Sequence, residues 1–187
     1  PLAPLTSNSP DQINRALAAG AHGIIVPMIN SAEDARRAVS AVRYPPAGSR
    51  GVALARAQGY GAGFAASRLW LEKEALVIAM IEHIAGVRAA KEILSVDGID
   101  AYFMGPYDLS ASLGMPGQVR DPAVQGAMRR VKSVADGLGR PGGLHVVEPD
   151  PAALRRRLRE GYRFVAYSLD TRMIDVSCRV GLAALKQ

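Results

Sequence analysis

The sequence has little cysteine and no long apolar run, and each shortage excludes a class of protein. Cys178 is the single cysteine. It has no partner for an internal disulfide, which excludes a small secreted scaffold and predicts a reducing, cytoplasmic location. No stretch approaches the roughly 20 apolar residues of a membrane span. The opening Pro-Leu-Ala-Pro-Leu-Thr has no basic leader before an apolar segment, so no secretory signal is expected.

Positive charge is in excess, but it is not arranged for nucleic acid. Nineteen of the 23 basic residues are Arg and four are Lys, and the formal net charge is +6. The densest run, Arg155–Arg157 with Arg159, spreads over more than one face of a helical pattern, which is typical of a solvated surface. Aromatic residues make up only 5% and do not alternate with the basic ones. We therefore expect neither a nucleic acid nor a membrane as a partner.

Apolar runs and helical patterns alternate along the chain. The 187 residues, 49% of them hydrophobic and 21% charged, fit one soluble globular domain. The apolar runs show little polar alternation, which is typical of parallel strands covered by helices on both faces. Strands are predicted over residues 23–27, 75–82, 101–105, 143–147 and 164–168, with 1–5 and 50–54 as further short candidates.

Helix boundaries are marked by residues that cap helices. Ser or Asp precedes four helical patterns, and Pro follows directly at three of these starts. The starts are Ser9-Pro10 (with Gln12 completing a capping box), Ser31, Asp121-Pro122 and Asp150-Pro151. Glycines at 20, 98 and 161 each come two or three residues before a predicted strand. This order of helix, glycine and strand predicts α/β units joined by short loops.

The repeated units favour a TIM-type (β/α) barrel over an open doubly wound sheet. No glycine-rich dinucleotide fingerprint follows an early strand; residues 59–63 lack the spacing and are expected to form a flexible loop. A complete barrel usually needs about 250 residues. We therefore expect residues 1–187 to form a single partial (β/α)8 barrel domain of six or seven strands, lacking its first one or two βα units.

Two acidic residues follow neighbouring predicted strands. Glu82 ends the strand over 75–82, and Asp108 follows the next strand along the chain. Parallel neighbours lie about 4.8 Å apart, and barrel enzymes place their chemistry at the carboxyl ends of strands. Two carboxylates, water and an oxygen-rich substrate suit a hard divalent ion such as Mg²⁺ or Mn²⁺. The alternative is that Asp108 caps a helix while Glu82 pairs with an arginine.

The turn Gly105-Pro106-Tyr107-Asp108 has a second use. If a short helix starts near Tyr107, its first N–H groups are unpaired and can accept a carboxylate. A 2-oxo acid would then chelate the ion through its carboxylate and keto oxygens while hydrogen-bonding these amides.

Five segments carry a family resemblance. They are Gly23–Asn30, Arg43–Gly51, Ile81-Glu82, Gly98–Gly114 and Tyr167–Arg172. Together they resemble the HpcH/HpaI aldolase/citrate lyase family, and the ordered set covers nearly the whole chain, which makes it more specific than any single motif.

The resemblance implies a (β/α)8 barrel that assembles into trimers or hexamers. It implies class II aldol chemistry, in which a 4-hydroxy-2-oxo acid is cleaved to pyruvate and an aldehyde. A divalent ion (Mg²⁺, Mn²⁺ or Co²⁺) would stabilise the enolate as a Lewis acid. By this similarity Glu82 and Asp108 are the metal ligands. Gly105, Pro106 and Tyr107, adjoining Asp108, form the turn that binds the substrate carboxylate.

The chain departs from the family at positions that bear on activity. Pro4 stands where the family has an enolate-stabilising Arg, and Ala18 where several members have an Asp. Met80 stands where some members have a substrate-binding Gln. The family's basic His belongs to a strand before residue 1. The general base is therefore unassigned, with His145 and Arg50 as candidates.

Other polar residues have simpler interpretations. His22 and His83 are expected to be structural, Asp170 to cap a helix, and Arg50 alternatively to pin its loop to a carboxylate. Two alternative functions remain open at this point. One is a truncated or degenerate barrel that binds a metal and a 2-oxo acid without turnover; the other is an acyl-CoA lyase of the citrate lyase type.

Overall fold

The computed structural model describes residues 1–185 and divides the chain into two compact units, the first over Pro1–Pro141 and the second from Gly142 onward. The first unit contains four strands: β1 (Leu2–Pro4), β2 (Gly23–Val26), β3 (Leu76–Ile81) and β4 (Ala101–Met104). They are parallel and pair in chain order. Every residue of β2 and β4 is buried, as the unalternating apolar runs predicted.

Seven helices connect and cover these strands. They are α1 (Pro10–Ala19), α2 (Ala32–Val42), α3 (Phe64–Glu74), α4 (Ile84–Arg88), α5 (Ala90–Leu94), α6 (Pro106–Ser112) and α7 (Pro122–Gly137). Helices α1, α2 and α7 bury apolar stripes, such as Ile13 and Leu17 on α1, whereas α3 buries only Leu71. No helix within residues 1–185 is long and apolar enough to cross a membrane.

The second unit also alternates strands and helices. It consists of β5 (Gly142–Val146), α8 (Pro151–Arg159), β6 (Phe164–Tyr167) and α9 (Asp170–Ala184), and β5 and β6 pair in parallel. Gly143 packs directly beneath the Phe164 ring, because a Cβ at this position would lie 2.4 Å from ring atoms. A larger residue is therefore excluded from that point of the strand.

The segment from 50 to 63 differs from its prediction. The expected strand over 50–54 does not form: Arg50 is buried, and residues 51–54 are exposed without secondary structure. The glycine-rich part expected to be a flexible loop contains a 3-10 helix over Arg56–Gly61. Gln58 organises this helix by donating to the Ala53 carbonyl at 2.7 Å and accepting from the Ala55 amide at 3.3 Å.

Three of the four predicted caps are confirmed. Ser31 accepts from the Asp34 amide, and Asp121 and Asp150 each accept from the amide two residues ahead. The capping box predicted at Ser9 is wrong, because Ser9 makes no side-chain cap. Gln12 instead accepts from the Thr6 and Ser7 amides. The glycines at 20, 98 and 161 all have left-handed φ angles, of 105°, 87° and 92°.

Candidate functional site

Glu82 follows β3 directly and is almost fully buried, with 6% of its surface exposed. Its Oε1 accepts a hydrogen bond from the Met28 backbone N–H at 2.9 Å. Met28 lies two residues beyond β2 and has a φ of 53°, which is uncommon outside glycine. The carboxylate of one strand end is thus held by the backbone at the end of the neighbouring strand.

Gly105, the first residue after β4, lies against the other side of this carboxyl group. A Cβ at position 105 would lie 2.6 Å from Glu82 Oε2 and 2.7 Å from Glu82 Cβ. The φ of Gly105 is −103°, so its backbone conformation does not require glycine. Glycine is needed here because the Glu82 side chain occupies the space that a methyl group would take.

Asp108 lies in the first turn of α6, which begins at Pro106. Its side chain is exposed and does not cap the helix, so the capping alternative for Asp108 is wrong. Burial raises the pKa of the Glu82 carboxyl, the Met28 N–H opposes this shift, and the negative charge of Asp108 raises the pKa further. The two carboxylates are therefore close enough to interact electrostatically.

Among the described residues, no positive side chain neutralises this pair. Within residues 1–185, neither Glu82 nor Asp108 forms an ion pair with Arg or Lys, so the alternative that Glu82 pairs with an arginine is wrong. The same residues contain no cluster of three or more His, Cys, Asp or Glu side chains that could hold a metal ion. The pair would supply two oxygen-bearing side chains, and any further ligands of a hard ion would be water or substrate.

Two serines fix the turn that carries Asp108. Ser110 is fully buried; its hydroxyl donates to the Tyr107 carbonyl at 2.6 Å and accepts from the Gly117 amide at 2.9 Å. Ser112 accepts from the Ile84 amide at 3.0 Å, which ties α6 to the start of α4. Both serines lie within the Gly98–Gly114 motif, but their roles depend on contacts that the sequence pattern does not contain.

The two candidates for the general base, His145 and Arg50, bond to other residues. His145, in the second unit, bonds through Nε2 to the Ser168 carbonyl at 3.0 Å. Arg50 lies near the amino ends of β2 and β3, and its Nη1 donates to Asn14 Oδ1 at 3.0 Å. The alternative that Arg50 pins its loop to a carboxylate is therefore wrong, since Asn14 is a neutral amide.

The sequence predicts structural roles for His22, His83 and Asp170, and these residues make different contacts. His83 caps α4 by accepting from the Ala85 amide through Nδ1 at 3.1 Å. His22 contacts Trp70, with ring centroids 5.2 Å apart. The N-cap of α9 is Leu169, so the prediction for Asp170 is wrong by one residue. Pro4 is the exposed last residue of β1.

Comparison with known proteins shows which family the chain belongs to. The model of the HpcH/HpaI aldolase/citrate lyase family matches residues 4–175. The chain belongs to this family. A crystal structure of a family protein from Burkholderia cenocepacia J2315 superposes with a TM-score of 0.89 at 33% identity, covering 100% of this chain and 74% of that one. The parallel α/β arrangement is therefore the fold of this family.

Two curated relatives are similar in sequence. One is a hydroxypyruvate/pyruvate aldolase from Sagittula stellata, 38% identical over 168 residues, which are 89% of this chain and 65% of the relative. The other is a 4-hydroxy-2-oxo-heptane-1,7-dioate aldolase from Salmonella typhimurium strain LT2, also 38% identical, covering 89% and 63%. The chain thus spans just under two thirds of the length of these curated relatives.

Proposed function

We propose that the protein acts as a metal-dependent class II aldolase, a carbon–carbon lyase that cleaves a 4-hydroxy-2-oxo acid to pyruvate and an aldehyde. The observation that carries this proposal is the carboxylate pair of Glu82 and Asp108, which lies at adjacent strand ends without a positive partner among the described residues. Family membership and the two related aldolases support the reaction type.

The pair suits a hard divalent ion such as Mg²⁺, Mn²⁺ or Co²⁺. Glu82 has one oxygen oriented by the Met28 amide, and its other oxygen lies against Gly105. Asp108 is exposed and has no cation partner within residues 1–185. Glu82 and Asp108 would hold the ion, with water and substrate filling the other positions. When bound, such an ion supplies a Lewis acid that stabilises negative charge on the 2-oxo group.

The protein's own contribution is to orient the reacting acid. Burial of Glu82 withdraws its charge from water, which strengthens its interaction with a nearby cation. The first N–H groups of α6 have no acceptor within the helix, and they suit the carboxylate of a 2-oxo acid. The Ser110 and Ser112 hydrogen bonds hold this turn in place, so the substrate would be positioned by a preformed backbone.

We also propose that the chain assembles into homo-oligomers, as trimers or hexamers. Within the described residues, β1 pairs only with β2 and leaves its other edge free. Apolar side chains are exposed along α9, among them Ile174, Val180 and Leu182. An assembly would cover this apolar surface.

A test combines turnover with metal binding. Pyruvate release from a 4-hydroxy-2-oxo acid is measured with Mn²⁺ and with a chelator, for the wild type, Glu82→Gln, Asp108→Asn and the exposed control Glu92→Gln. We expect chelation or either site substitution to lower the rate at least about 100-fold, the effect of losing about 3 kcal/mol of charge stabilisation. The control should retain the wild-type rate.

The same samples distinguish the alternatives through thermal unfolding. If Mn²⁺ with pyruvate raises the Tm of the wild type but no pyruvate is released, the metal site stands and the aldolase proposal is refuted in favour of a non-catalytic barrel. If Glu82→Gln and Asp108→Asn keep the full Tm shift, the assignment of the metal ligands is refuted. Cleavage of acyl-CoA thioesters in place of hydroxy-oxo acids would establish the lyase alternative.

A further inference from the structure

A cavity of about 520 Å³ lies at the end of the strands opposite to Glu82. Its walls include Gly20–His22, which lead into β2, and the part of α3 around Trp70, which leads into β3. Glu82 instead follows the carboxyl end of β3, which is six residues and therefore about 20 Å long. The volume falls in the range of about 300–1,000 Å³ that is typical of small-molecule sites. This cavity is separate from the carboxylate pair.

Arg50 lines the cavity as a buried cation that has no counterion among residues 1–185. Only 6% of its surface is exposed, and its guanidinium carbon lies 5.6 Å from the centroid of the Tyr44 ring. Nη1 donates to the neutral Asn14 side chain, whereas Nε is buried and has no hydrogen-bond partner within residues 1–185. A buried charge without a partner is costly, so this arrangement indicates a missing anion.

The unpaired N–H groups of the Arg50 guanidinium indicate which kind of anion would fit. Nη1 is held by Asn14, so Nε and Nη2 carry the N–H groups that no group within residues 1–185 accepts. This edge presents two parallel N–H groups, the geometry that matches the two oxygens of one carboxylate. A carboxylate bound there would satisfy the unpaired Nε and neutralise the guanidinium in one contact.

The other walls suit a flat apolar body. The rings of Tyr44, His22 and Trp70 line the cavity together with Leu17 and Leu71, and no Asp or Glu is among its described lining residues. We propose that this cavity binds a small organic acid, with its carboxylate on the Nε–Nη2 edge of Arg50 and an apolar, planar body against the rings. This inference does not depend on the proposed aldolase activity.

Trp70 is the only tryptophan of the chain and reports directly on the cavity. The probe is 3-phenylpropanoate, titrated while Trp70 emission is recorded, with the neutral 3-phenylpropanamide and inorganic phosphate in parallel. We expect a saturable change with the acid alone. Arg50→Lys keeps the charge but loses the paired N–H edge, so we expect affinity to fall about ten- to a hundredfold. Arg15→Lys, at an exposed ion pair on α1, is the matched control and should bind normally.

Two further variants keep the test decisive. Ala66→Leu places a larger side chain on the cavity wall and should abolish the response even if Arg50→Lys fails to fold. Glu82→Gln should leave the affinity unchanged, because that residue lies at the opposite strand end. Equal binding of the amide, an equal response to phosphate alone, no saturable change with the acid, or retained affinity in Ala66→Leu would each overturn the proposal.

Discussion

Replacing Gly105 by alanine tests the packing that positions Glu82. The new Cβ would lie 2.7 Å from Glu82 Cβ, and ordinary contact begins at 3.4 Å, so the two groups must separate by about 0.7 Å. The φ of −103° accommodates alanine, which leaves this contact as the source of the effect. Overpacking of this kind costs about 1–3 kcal/mol, and we expect the free energy of unfolding in urea to fall by that amount.

The displacement should also weaken metal binding. Glu82 would move relative to the Met28 amide and Asp108, so the rise in Tm on addition of Mn²⁺ should shrink in Gly105→Ala. Gly126→Ala is the matched control, since its added Cβ would meet no atom closer than 3.8 Å and lies within α7. It should be neutral or stabilising by up to about 1 kcal/mol. If Gly105→Ala is as stable as the wild type, the close approach of Gly105 to Glu82 is refuted. If Mn²⁺ raises the Tm of Gly105→Ala as much as that of the wild type, the role of Glu82 as a ligand is refuted.

Two further predictions concern ionisation and the turn. The raised pKa of Glu82 means that the folded state keeps this proton to higher pH than the unfolded chain, whose ordinary value is 4.5. The free energy of unfolding of the metal-free protein, measured in urea, should therefore fall as pH rises from about 4.5 through the folded pKa. Glu82→Gln should remove this fall. If the wild type and Glu82→Gln lose stability in parallel over this pH range, the prediction is wrong. Ser110→Ala leaves the Gly117 amide without its acceptor and should lower the free energy of unfolding by about 1–3 kcal/mol, whereas a change below about 0.5 kcal/mol would show that water replaces the hydroxyl.

The sequence predicted the strands because local signals determine them. Unbroken apolar runs locate β2, β3 and β4 to within two residues. Glu82 and the turn that carries Asp108 follow adjacent strands, and their assignment as metal ligands stays a prediction. The prediction for 50–63 is wrong for two reasons. Gln58 makes local hydrogen bonds to Ala53 and Ala55 that no strand or helix pattern specifies, and Arg50 is buried through a tertiary contact with Asn14. The failed cap at Ser9 has a similar cause, since Gln12 bonds to the preceding loop instead.

The residues that hold Glu82 could not be found from any pattern in the chain. Met28 contributes only its backbone amide, and the side chain at that position gives no sign of this role. The family resemblance places Gly105 in a carboxylate-binding turn. Its packing against Glu82 depends on how closely two strand ends approach each other, which the sequence pattern does not contain. Ser110 acts through contacts three and seven residues away that a helical pattern does not specify.

The contacts that Met28 and Gly105 make with Glu82 make strand register a condition for the proposed ion site. Met28, Glu82 and Gly105 each follow a different strand, and they meet only when Val26 is level with Ala79 and Ile81 with Met104. A slip of β3 by a single residue would reverse its side chains and turn the carboxylate to the opposite face of the sheet. A sheet in which these three consecutive strands are out of register would therefore not bind the ion.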